Sequence, residues 1–276
     1  MSRRLGFEIA MVMLVLVGGA WGGVPMTASA KRAPAQAEAP SLPKPLRKSR
    51  SLGFAWRGKL ERGVLLKPGA HLRYVSEYAK TDHFYGTWQL VQLLERAAFQ
   101  VSQRVPGSKL SVGELSAASG GNLPGHASHE SGRDVDVGFF MLDGGARPVE
   151  AFAFAQFDSR GRGLSPNVGM RFDVRRNWEL VARLVSDGEA RVQYVFVAPA
   201  IRQLLLDEGR RVRAPAAVLE RAARVMVRPS EKHLHGNHFH VRIYCAPGER
   251  PKCQDAPPYW PWYPGEVTAQ TQNKSG

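Results

Sequence analysis

Cysteine is scarce, with only Cys245 and Cys253 in 276 residues. Two thiols suffice for one disulfide closing a short loop in an oxidising compartment; a pair of thiolate metal ligands is the weaker alternative, because histidines are supplied elsewhere. Long apolar runs are absent as well. The unbroken run Ile9–Val17 falls short of the ~20 residues a helix needs to cross a bilayer, so no stable membrane anchor is expected. Acidic residues are few against basic ones, 24 Asp and Glu against 38 Lys and Arg, which gives a net charge of +14 and a pI of about 10.2. Such an excess attracts polyanions, whether nucleic acid, anionic lipid or an acidic wall polymer, without choosing among them. At 43% hydrophobic and 22% charged residues, the chain is not a disordered one, and its length suits one sizeable domain with extensions. No internal repeat is present.

The amino terminus narrows the choice of partner. Arg3 and Arg4 form a positive head, the apolar run follows, and Ala28-Ser29-Ala30 is an A-x-A cleavage signal. Residues 1–30 are read as a signal peptide, which makes the mature protein periplasmic and nucleic acid an improbable partner. Its removal takes away two arginines and one glutamate, so basicity belongs to the exported part. Residues 31–52, rich in Pro, Ala, Lys and Arg, read as a linker whose role is spacing, or adhesion to an anionic surface.

From residue 53 the pattern is globular. Strands are expected at 59–66, 72–75, 110–117, 135–141, 192–197 and 238–245. Helices are expected at 87–104, stopped by Pro106-Gly107; from an Asp173 N-cap to 185; at 200–208, closed by Gly209; and at 216–224. Residues 142–170 look like a surface excursion. The domain is placed at 53–255. Residues 256–276 form a Pro/aromatic extension that either packs on the domain or stacks on sugar rings. The fold class is α+β: a central, mainly antiparallel sheet with helices around it.

Two stretches carry the chemistry. Gly125–Asp136 (Gly-His-Ala-Ser-His-Glu-Ser-Gly-Arg-Asp-Val-Asp) and His235–Arg242 (His-Gly-Asn-His-Phe-His-Val-Arg) hold five of the eight histidines. Each ends in alternating polar and apolar residues. In a strand Asp134 and Asp136 share one face and Val135 and Val137 the other; likewise His238 and His240 oppose Phe239, Val241 and Ile243. Two neighbouring strands would then line one cleft with imidazoles and carboxylates. His129, Asp136 and His240 are the expected zinc ligands, an arrangement of catalytic rather than structural sites. Asp134 holds a ligand imidazole or pairs with Arg133 or Arg242. Glu130 is expected to be exposed, and no pattern supports His71, His83 or Asp143.

His-x6-Asp followed far downstream by His-x-His resembles the zinc peptidase group that includes D-Ala-D-Ala carboxypeptidases and the hedgehog domain. Within it, His126, His129, Gly132, Asp134, Asp136, His235, His238, His240 and Arg242, with Phe196–Ile201 ahead of a helix, resemble the penicillin-insensitive murein endopeptidases over roughly residues 55–255. That resemblance implies zinc on His129, Asp136 and His240. It also implies hydrolysis of D-alanyl cross-links to meso-diaminopimelate in peptidoglycan, without an acyl-enzyme for β-lactams to trap. No acidic residue stands between Lys232 and His240, so His238 is the expected base, with His235 as alternative or oxyanion donor. His126 would orient substrate or stabilise the tetrahedral oxygen. Arg147, Arg160 and Arg162 are candidates for steering anionic stem peptides. The rival readings are a zinc D,D- or L,D-carboxypeptidase and a zinc-stabilised peptidoglycan-binding module with little turnover.

Overall fold

The computed structural model describes residues 48–150, 152–228 and 236–266. Residues 1–30, read as a signal peptide, and most of the stretch read as a linker lie outside them. No helix of the described residues is long and apolar enough to cross a membrane.

A six-stranded sheet runs in the order Met226–Val227, Val192–Phe196, His238–Ile243, Asp134–Gly138, Leu110–Val112, Leu72–Tyr74. Its three central pairings are antiparallel and its two edge pairings parallel. Among the described residues four α-helices accompany it: α1 (Trp88–Arg104), α2 (Val174–Ser186), α3 (Pro199–Arg211) and α4 (Ala216–Val225). The class is α+β, as expected.

Local chemistry sets the helix ends. Thr87 Oγ1 accepts from Leu90 N at 3.3 Å at the start of α1, and Asp173 accepts from Arg176 N at 3.0 Å at the start of α2. Each side chain satisfies one of the donors that a helix start leaves open. Beyond α1, Gly107 takes φ +81°. Gly209 was expected to close α3, but the helix runs on to Arg211. A Cβ at 209 would meet Trp178 Cζ2 at 2.5 Å, so this glycine permits close packing against α2 rather than a turn.

Three other expectations change. The strand expected at 59–66 divides into Arg57–Glu61 and Val64–Leu65, broken at Arg62, whose φ is +52°. The strand expected at 110–117 stops at Val112. Residues 50–52, assigned to the linker, belong to the strand Arg50–Phe54, paired with Arg57–Glu61. That hairpin is fastened to the domain by Gly53 N donating to Lys252 O at 2.8 Å and Trp88 N to Ser49 Oγ at 2.7 Å.

Cys245 and Cys253 form a disulfide. Arg133, only 2% exposed, donates to Asp255 Oδ1 at 2.7 Å and Gln254 O at 3.0 Å. The first motif is thereby tied to the chain that follows the disulfide. The aromatic extension then packs on the sheet: Trp260 and Trp262 donate their indole N–H groups to Gln193 O and Val192 O at 2.8 and 2.9 Å. These carbonyls lie where the strand register shifts between Val192 and Tyr194, so the indoles take acceptors near that irregularity.

Candidate metal centre

The second motif is positioned by strand pairing. His240 stands opposite Asp136, and Arg242 opposite Asp134. Alternation puts Val135, Val137, Phe239, Val241 and Ile243 into the core with α1 and α2 and turns His240 and both aspartates the other way.

The first motif is positioned by a loop. Gly121 N donates to Glu130 O at 2.9 Å, Glu130 N to Ala55 O at 3.0 Å, and Thr87 N to Gly132 O at 2.8 Å. Glu130 is not the free surface group expected, since it accepts from Gly58 N at 3.1 Å. His129, fully buried, has φ +75°, an uncommon left-handed conformation for a non-glycine residue and one often found at functional sites. Gly132 also needs its positive φ of +69°, and a Cβ there would meet Leu60 Cδ1 at 2.7 Å.

Three donor atoms make a triangle. His129 Nε2 lies 3.4 Å from Asp136 Oδ1 and 3.4 Å from His240 Nδ1, and His240 Nδ1 lies 3.3 Å from Asp136 Oδ1. Ligand atoms around a tetrahedral zinc with bonds of about 2.0–2.1 Å are separated by about 3.3–3.4 Å. The triangle has the size of one tetrahedral face. Asp136 Oδ1 is also buried without a hydrogen-bond partner, a costly state for a carboxylate oxygen unless something else takes its lone pair.

The imidazoles are aimed by what holds their other nitrogens. His129 Nδ1 contacts Leu115 O at 2.5 Å, and His240 Nε2 contacts Asp134 Oδ1 at 2.7 Å. With N–H at each of these positions, His129 Nε2 and His240 Nδ1 are left as lone pairs facing the triangle. Asp134 therefore holds an imidazole and pairs with Arg242 Nε at 2.6 Å as well; Arg133 goes to Asp255 instead. Burial alone would push both aspartates up. Arg242 and His240 outweigh it at Asp134, and His129 and His238 at Asp136, so both carboxyls titrate well below the ordinary range. Burial would lower His240, but the two aspartates raise it overall.

His126 sits on the other side of Asp136, with Nδ1 3.5 Å from Oδ2. His126, His129 and Asp136 can each present a ligand atom within 4.8 Å of the others, so His126 is close enough to be a ligand too. The His129–Asp136–His240 triangle is the tighter set. His238 Nε2 is 3.4 Å from Asp136 Oδ1, its Nδ1 is 2.8 Å from Asn237 Oδ1, and its ring stacks on Phe154 at 4.6 Å. His126, His129, Asp136, His238 and His240 thus come together, while His235 lies outside the described residues.

Glu114 was missed. It accepts from His126 Nε2 at 2.9 Å and from His83 Nδ1 at 2.6 Å, so His83 has a partner near the site. Burial would raise Glu114, yet the two imidazoles hold it at about 2. Its one signal in the sequence is a lone acid between Val112 and Leu115 in a stretch expected to be a strand. The proposed steering arginines are not in the cleft: Arg147 and Arg162 are exposed and paired with Asp143 and Asp158 at 2.9 and 2.8 Å. The cleft, about 720 Å³ in volume, is walled by Trp56, Tyr78, Phe154 and Phe196.

The family model described as penicillin-insensitive murein endopeptidase matches residues 51–266. A protein of that name from Klebsiella pneumoniae subsp. pneumoniae is 31% identical over 193 residues, covering 65% of this chain and 61% of the relative. Another of that name from Salmonella heidelberg is 31% identical over 188 residues, covering 64% and 61%. The chain thus spans about 61% of the length of these curated relatives. With over three-quarters of its residues inside one family match, the chain belongs to the penicillin-insensitive murein endopeptidase family.

Proposed function

We propose that this protein is an exported, periplasmic zinc metallo-endopeptidase that hydrolyses D-alanyl cross-links, D-Ala to meso-diaminopimelate, in peptidoglycan. The observation that carries the reading is the His129–Asp136–His240 triangle, with edges of 3.3–3.4 Å, at the floor of a cleft in a chain of this family. The donor set fits zinc: two imidazoles whose ring nitrogens converge on one point, and a carboxylate whose inner oxygen is otherwise without a hydrogen-bond partner. Zinc, when bound, supplies a Lewis acid that polarises an amide carbonyl and activates water near neutral pH.

The remaining steps fall to the chain itself. His238, whose Nδ1 side is occupied by Asn237, offers Nε2 as the proton acceptor next to Asp136. His235 is the alternative base or an oxyanion donor. His126, held through Nε2 by Glu114, orients the substrate or stabilises the tetrahedral oxygen, a contact to oxygen that it makes as an imidazolium donating from Nδ1–H. Phe154, stacked on the His238 ring, shields that base from water on one side.

The test is chromatography of purified cross-linked muropeptide dimers incubated with the mature protein, with and without zinc, beside His129→Ala. Dimers are expected to become monomers only with the zinc-loaded wild type. If the dimers survive while the protein holds stoichiometric zinc, the endopeptidase reading fails, and trimming of monomers or simple binding takes its place.

A further inference from the structure

Arg242 stands on the metal-facing side of the His238–Ile243 strand, two residues beyond His240. Two strand residues separate side chains on one face by about 6.6 Å. Its guanidinium carbon lies 5.8 Å from the Trp56 ring centroid and 6.0 Å from those of Tyr194 and Phe196. Three rings and Asp134 therefore fix the plane of a side chain that is only 10% exposed. Among the described residues lining the cleft, Arg242 is the one arginine or lysine.

The Asp134 contact uses a single donor. Nε donates to Asp134 Oδ1 at 2.6 Å, and among the described residues this is Arg242's only hydrogen bond. A purely structural arginine–carboxylate pair would gain more from two parallel bonds. The terminal edge, with four more N–H donors, is left over. It is not stranded in a dry interior, because the buried side-chain atoms without partners include Asp134 Oδ2 but no Arg242 nitrogen. That edge opens on the cleft. A planar fork beside a hydrolytic centre, with its rear anchored and its front exposed, matches a carboxylate.

We propose that Arg242 forms a carboxylate subsite that selects substrates with a free carboxylate on the carbon next to the scissile nitrogen. In a residue of that kind the carboxylate carbon lies about 2.5 Å from the scissile nitrogen; with the C–O bond and a charge-assisted hydrogen bond of about 2.8 Å added, the reach approaches the strand repeat that separates Arg242 from His240. The inference rests on the reading of the cleft as a peptidoglycan-peptide site. It deepens that reading by naming which carboxylate is recognised and by what.

The test uses two synthetic cross-linked peptide dimers that differ only in whether the leaving residue carries a free carboxylate or a carboxamide. Cleavage of both is measured with zinc-loaded wild type, Arg242→Gln and Arg242→Lys. Calorimetry then follows binding of the matching reduced-amide analogues. The wild type is expected to favour the free acid by about 10- to 100-fold. Arg242→Gln brings the ratio to about one, and Arg242→Lys keeps part of it. Any effect passed through Asp134, His240 or zinc affinity falls on both substrates alike and cancels in the ratio. A wild-type ratio near one, or a ratio unchanged in Arg242→Gln, overturns the proposal. If Arg242→Gln does not fold, an undiminished ratio in Arg242→Lys does the same. Acid-selective binding without cleavage sinks the hydrolase reading but leaves this subsite standing; cleavage with a ratio that ignores Arg242 does the reverse.

Discussion

The ribbon made by Asp134–Gly138 and His238–Ile243 has two largely buried faces that are energetically opposite. On one, Val135, Val137, Phe239, Val241 and Ile243 are at most 2% exposed; on the other, Asp134, Asp136, His240 and Arg242 are at most 8% exposed. Removing apolar surface from water stabilises the first face by roughly 25 cal/mol for each Å² buried. The second face loses the hydration of several charges and offsets that loss through mutual charge contacts rather than apolar packing. Asp134 Oδ2 and Asp136 Oδ1 end with no hydrogen-bond partner. Burial on both faces thus hides a division of labour, since one face holds the fold and the other is carried by it for its chemistry.

The sharpest way to break this comparison is Asp136→Ala. On the proposed function, turnover of cross-linked dimers and zinc stoichiometry are both expected to be lost. The thermal midpoint of the metal-free protein should fall only modestly, since the carboxylate that His129 and His238 hold ionised has gone but no apolar packing with it. Metal analysis and calorimetry on the same preparation check this, and a variant that cannot fold would show that the polar face is structural after all. Phe239→Ala, on the opposite face, should reverse the pattern. Its ring packs on Phe139 at 4.7 Å, and truncating a buried aromatic costs about 3–5 kcal/mol. Urea unfolding should record that loss, while the folded fraction still binds zinc one to one.

Asp134→Asn is a finer cut. The amide keeps the volume but removes the charge that faces His240 and Arg242. Zinc affinity is expected to fall about 10- to 100-fold, the usual consequence of losing a partner that orients a ligand imidazole, and urea stability should fall as well, because the buried Arg242 loses its carboxylate. A chelator competition measures it. An unchanged affinity would mean that Leu115, His129 and Asp136 aim the site without help from behind His240.

The two faces also differ in how far they could be read from the chain. Alternation in Asp134–Val137 and His238–Ile243 is a period-two pattern, so the sequence alone places the aspartates and histidines on one side and the valines on the other. Helix boundaries were legible for the same kind of local reason, through Thr87 and Asp173. Contacts made by loops were not. Leu115 O holds His129 from 14 residues away, and Glu114 holds His126 from 12; no periodicity links them. Gly209 resembles a helix stop until Trp178 is set against it. Arg147 and Arg162 offered the right charge for steering, but each is taken by an aspartate four residues before it, while the arginine in the cleft sits within the strand motif itself.

Glu114 gives the smallest expected effect and tests whether the polar side adds any stability of its own. Burial opposes ionisation here, but contacts from His126 and His83 hold the group at about 2, against an ordinary 4.5. A carboxyl depressed in the folded state stabilises it above the unfolded value, and that contribution is lost as pH falls from about 4.5 through about 2. Between pH 5 and 2.5 the wild type should therefore lose more unfolding free energy than Glu114→Gln, with a difference on the order of 1 kcal/mol. Urea titrations with metal removed from both proteins keep protonation of the ligand histidines from entering through zinc release. Parallel acid limbs would mean that the two imidazoles give Glu114 no more than water does, and that its place beside His126 matters for aim alone.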